Sequence, residues 1–188
     1  MTARAPQSSR LDACISPTAR DALAPGSRDR LIAQESLRIR WHQIFDRIPL
    51  LSARLPDTTD LYEAFLEWAV AGHRRLDWRM HLHFLEFLEY LECRDGGGAG
   101  VPLRPQDHIE LLAASAARWF ASPEHRQRGL ALTTAALAPK VVVALKGDAP
   151  LERGRVKLAQ LPGLEPAPGI HWALSGPGDF AVLTWSTL

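Results

Sequence analysis

GLALTTAALAPKVVVAL, Gly129 to Leu145, is where the chain passes from one kind of periodicity to another, and its reading decides the fold. Just before it, Ser122, Pro123, Glu124 and His125 spell a helix cap followed by a first-turn proline. Leu130, Ala131, Leu132, Ala135, Ala136 and Leu137 are then apolar nearly all round, as suits a buried helix. The pattern predicts a fifth helix over 123–137. After Ala138 the runs become β-branched or aromatic. KVVVAL (Lys140 to Leu145), GRVKLAQL (Gly154 to Leu161), IHWAL (Ile170 to Leu174) and FAVLTW (Phe180 to Trp185) predict four strands. They are separated by GDAP, PGLEPAPG and SGPGD, turn compositions that favour antiparallel neighbours.

Working back towards the N-terminus, the helical signals are clearer. Ser27 is a suitable N-cap for a helix over 28–47, in which Leu37, Trp41, Ile44, Phe45 and Ile48 recur at helical spacing until Pro49 stops the run. Asp60 with Glu63 makes a capping box for a second helix carrying Leu61, Ala64, Phe65 and Trp68, which Gly72 ends. A third is expected from Arg75 to Cys93, closed by the GGGAG run at 96–100. Pro105 opens a fourth with Ile109, Leu112, Ala116, Trp119 and Phe120 on its apolar face.

The expectation is therefore an α+β fold: a bundle of about five helices, then a four-stranded antiparallel meander packed against it. Residues 1–26 read as a flexible N-terminal segment, 27–138 as the helical region and 139–188 as the sheet region, the last two forming one compact unit. KVVVAL and FAVLTW are apolar on both faces, so both faces need cover. Helices supply one side; more helices, the N-terminal segment or a partner are the expected sources of cover for the other.

Composition removes several function classes. The chain has 188 residues, 46% hydrophobic and 23% charged, as expected of an ordinary globular protein. A net charge of +1 offers no basic stripe for a phosphate backbone, although 19 of the 22 basic residues are Arg. A bacterial chain from a GC-rich genome would show that arginine bias. No apolar run is long enough to span a membrane, and MTARAPQSSR lacks the apolar core of a secretory signal. Cys14 and Cys93 lie far apart and neither has a ligand at metal spacing, so a reducing cytoplasm is the expected location.

Candidate chemistry centres on the histidines. HLHFLEFLEY, His81 to Tyr90, resembles a metal-binding helix at first sight. Residues two apart on a helix diverge by about 200°, so His81 and His83 cannot share an ion. His83 and Glu86 are three apart on the polar stripe of Arg79, His83, Glu86 and Tyr90, and remain candidates for metal ligation or acid–base work. His42 with Asp46, and His73 with Asp77, are four apart and could each pair a base with a carboxylate. Neither has a nucleophile or oxyanion motif beside it. GGGAG does not follow a strand, and Ser175 lacks a nucleophile elbow, so neither reads as a catalytic loop.

Helix 105–121, the turn at Ser122 and a helix at 123–138 before two strands also match the order of a winged-helix DNA reader, with Arg126, Gln127 and Arg128 leading the recognition helix. The apolar remainder of that segment and the weak charge balance speak against it. By elimination, the sequence points to a non-catalytic interaction or assembly protein. Docking falls to Val141, Val143, Phe180, Val182 and Trp185, with a protein partner or a second copy and no cofactor. A small metal-dependent or acid–base enzyme using His83 and Glu86 is the alternative.

Overall fold

The computed structural model describes residues 17–94, 101–123, 129–146, 156–176 and 183–188. The contacts divide the chain into two compact units, Met1–Arg74 and Arg75–Leu188.

In the first unit, α1 (Pro17–Asp21), α2 (Arg28–Phe45), α3 (Pro49–Ser52) and α4 (Thr58–Ala71) follow one another. The Ser27 hydroxyl accepts from Arg30 N, as a cap should. Pro49 opens α3 at its first turn, where its missing N–H costs nothing. The capping of α4 differs from expectation. Asp57, three residues before Asp60, accepts from Thr59 N and Asp60 N, while the Glu63 carboxylate turns to the Arg20 guanidinium. At the other end, Gly72 is the C-cap and His73 takes the left-handed conformation, with φ 51°. His73 N donates to Val70 O and Arg74 N to Ala69 O, the paired bonds of a Schellman motif. Trp41, Phe45, Tyr62, Phe65 and Trp68 form a continuous file of ring contacts with centroids 5.0 to 6.3 Å apart. The Arg74 guanidinium lies 3.4 Å from the Trp68 ring centroid.

The second unit contains α5 (Met80–Arg94), α6 (Pro105–Ala121) and a five-stranded sheet: β1 (Gly129–Thr134), β2 (Lys140–Leu145), β3 (Val156–Gln160), β4 (Ile170–Ser175) and β5 (Ser186–Thr187). The helices precede the strands and every ladder is antiparallel, so the α+β class holds. The expected fifth helix does not form over the described part of 123–137. Gly129 to Thr134 is a strand, and only Ala135–Leu137 makes a single 3-10 turn. With that strand in the sheet, the winged-helix order loses its recognition helix, and Arg126, Gln127 and Arg128 lie outside the described residues.

The four-stranded meander is also corrected. The strand order is β3-β2-β1-β4-β5, so the chain crosses from β3 to the far side of β1 before laying down β4. β1 is thus the central strand, paired from Gly129↔Leu145 to Leu132↔Val142 on one side and from Gly129↔Ser175 to Thr134↔Ile170 on the other. All six of its residues are buried. A short run apolar on both faces can be a buried helix or a central strand, and local periodicity does not distinguish them; here two ladders override the helix propensity of Leu and Ala. Of the expected strand 180–185, residues 180–182 lie outside the described set, and the observed strand follows at Ser186–Thr187.

Helix α6 packs on β1, β2 and β3, and α5 packs on α6. The Ser115 hydroxyl of α6 donates to Trp78 O at 2.6 Å, and the Trp78 ring meets Trp172 of β4 edge-on at 5.8 Å. Those contacts put α6 over the face that carries Leu130, Leu132, Val142 and Trp172. Arg79 reaches over both indoles while pairing with Asp77. Asp77 also accepts from Arg79 N, a turn that delays the helix expected from Arg75 until Met80.

Leu132→Ala should destabilise the protein by about 2–5 kcal/mol, because it empties a fully buried central position. Leu158→Ala on the exposed outer strand should stay within about 0.5 kcal/mol of wild type. Chemical denaturation followed by tryptophan fluorescence measures both.

Candidate functional site

Helix α5 is buried almost all round at its start, from Met80 through Leu85. His81 is fully buried and His83 nearly so. His83 Nδ1 lies 3.4 Å from Glu86 Oε2, a loose contact across one helical turn. The sequence-predicted pair is therefore brought together. Among the described residues no group of three or more His, Cys, Asp or Glu side chains converges on a point where an ion could sit.

His42 and Asp46 also meet, with Nδ1 3.2 Å from each carboxylate oxygen, on an exposed helix end. His73 and Asp77 lack the helical turn that motivated them as a pair, because α4 ends at Ala71 and α5 begins at Met80. His73 serves its helix through its backbone, and both Asp77 carboxylate oxygens accept from Arg79.

A third histidine–carboxylate contact, absent from the sequence reading, joins α6 to α5. His108 is buried, with Nδ1 3.0 Å from Arg104 O and Nε2 3.4 Å from Glu89 Oε1. A carbonyl and a carboxylate only accept, so the arrangement is satisfied when both ring nitrogens carry hydrogen. Burial opposes that charge. The hydrogen bonds to Glu89 and to the Arg104 carbonyl, with the negative charges of Glu89 and Asp107, outweigh it and hold the His108 pKa above its ordinary 6.5. His171 is different: Nε2 donates to Ala167 O at 2.7 Å, leaving Nδ1 to accept from Thr187 Oγ1 and tether the short last strand.

The residues expected to dock fall in three classes. Val141 is fully buried and Val143 half-buried within β2. Trp185 is half-buried, and Phe180 and Val182 lie outside the described residues. The exposed apolar side chains of the sheet are instead Leu145, Val156 and Leu158. Val156 opposes Ala144 and Leu158 opposes Val142, so both belong to the face that α6 covers further in. Among the described residues β3 pairs with β2 alone, which makes it one edge of the sheet, whereas the two-residue β5 forms the opposite edge. The alternation of Val156 and Leu158 with Lys157 was visible in the sequence; that this strand lies at an edge was not.

Among the described residues, no helix is long and apolar enough to cross a membrane. A family model described as "Methanobactin biosynthesis cassette protein MbnC-like" matches residues 21–182. The chain belongs to that family, whose description points to an accessory part in a biosynthetic pathway. No curated protein matches the chain.

The raised pKa of His108 has a defined consequence for stability. A histidine that gains affinity for its proton on folding contributes fully below the unfolded value of 6.5, and the contribution disappears as pH rises through the folded value. His108→Gln should therefore lose stability chiefly on the acid side of neutrality and converge on wild type at alkaline pH. Urea midpoints measured across that range for wild type, His108→Gln and Glu89→Gln should show the slope in wild type alone.

Proposed function

We propose that this family member is a non-catalytic accessory protein that acts by docking on another protein, and that β3 is its docking edge. The observation that supports this reading is the outer strand itself. Val156 and Leu158 are 37% and 47% exposed on one face, beside a row of backbone donors and acceptors that no other strand among the described residues pairs with. Soluble proteins ordinarily blunt such an edge with charge, proline or brevity, as an apolar one invites another strand. Here β5 is kept short and β3 is not.

The side-chain pattern describes the partner. An extended segment added to β3 would satisfy the free backbone groups and lay alternate apolar side chains against Val156 and Leu158. Lys157 faces the other side of the sheet and favours a carboxylate opposite it. It also discourages pairing with a second β3, since two like charges would meet. A product of the same biosynthesis cassette is the natural source of such a segment. The buried contacts of His83 and His108 fit this role as supports of the helical layer over the sheet.

Val156→Lys combined with Leu158→Lys tests the reading. The exposed positions tolerate lysine, so the melting temperature should move by no more than a few degrees. Capture of the cassette protein that copurifies with wild type should fall by about tenfold or more, as hot-spot losses of that kind do. Undiminished capture by the double variant would remove β3 as the docking edge.

A further inference from the structure

The exposed face of α2, in the first unit, carries three large aliphatic residues: Leu31 (54% exposed), Ile32 (47%) and Ile39 (54%). On a helix of 3.6 residues per turn, Arg28, Leu31, Ile32, Glu35, Arg38, Ile39, His42 and Asp46 fall within an arc of about 120°. Arg28 and Asp46 are five whole turns apart, so they sit in line at opposite ends of one stripe. Ile32 and Ile39 are two turns apart, symmetric about the middle of the helix. Glu35 and Arg38 hold that middle as an ion pair.

We propose that this face binds a second copy of the chain, with the two α2 helices antiparallel about a two-fold axis near Ser36. The charges select both the occupant and its direction. About that axis an antiparallel copy brings Arg28 of each helix to within about 3 Å of level with Asp46 of the other, a gap its long side chain spans, and Ile32 to within about 1.5 Å of level with the other's Ile39. A parallel copy would set arginine against arginine and aspartate against aspartate. A stripe complementary to its own two-fold image is what an isologous interface requires. The face is a single helix stripe, so the association is weak and reversible. It is independent of β3.

Sedimentation equilibrium of the full chain over about 5 to 500 μM should show a reversible monomer–dimer equilibrium in this weak regime. Arg28→Asp and Asp46→Arg should each weaken dimerisation about fivefold, since each altered contact occurs twice. The double variant Arg28→Asp/Asp46→Arg should restore it. Neither exchange threatens the helix, because aspartate at the N-terminus and arginine at the C-terminus both suit its dipole. Ile39→Asp should leave the protein monomeric at every concentration. A wild-type monomer across the whole range overturns the proposal and leaves the stripe to residues 1–16 or to an unrelated partner. Loss in both single variants without recovery in the double overturns the antiparallel pairing.

Discussion

The second unit depends on the double ladder of β1. All six residues, Gly129 to Thr134, pair with β4 on one side and the first four of them with β2 on the other, so removing this strand would split the sheet into a β3–β2 pair and a β4–β5 pair. Because β1 is central, its side chains are buried on both faces, and its sequence has to be apolar throughout instead of alternating. Two threonines, Thr133 and Thr134, are the buried polar exceptions; the Thr133 hydroxyl donates to Lys140 O at 2.9 Å, so that oxygen is compensated where β2 begins.

The same topology determines what remains outside. Once β4 has crossed to the far side of β1, β3 cannot be covered by it and becomes an edge. Helix α6 spans β1, β2 and β3, yet the apolar side chains of β3 still reach solvent. Edge and exposure are therefore results of one connection, residues 161–169, which carries the chain across. A plain meander would have placed β4 beside β3 and concealed Val156 and Leu158. The docking reading rests on that crossing more than on the total apolar content of the strands.

The helices were legible because their ends are written locally. Ser27 and Pro105 mark starts through groups that act within one turn, and both hold in the structure. Gly72 marks the end of α4 and is its C-cap, while the left-handed position that glycine usually takes falls one residue later on His73. β1 was not legible, because Leu130 to Leu137 has no period that separates a buried helix from a central strand, and only its partners, ten to forty-six residues away, decide. Likewise His83 and Glu86 could be paired from spacing alone, whereas His108 and Glu89 lie on different helices and meet only when α5 packs on α6.

That difference bears on how the buried histidines should be understood. A catalytic base needs a free lone pair within reach of a substrate and a pKa near the working pH. In the arrangement that satisfies its partners, His108 has none to offer: Nδ1 is held by a carbonyl and Nε2 faces a carboxylate, so both nitrogens carry hydrogen. Its contact with Glu89 also ties two helices whose packing supports the sheet. Only the ring is buried, the Glu89 carboxylate being half-exposed, so removing that carboxylate costs mainly through the ring left without its partner. A histidine committed in this way is a structural strut, and its chemistry points inward to the fold while the apolar edge of β3 faces out.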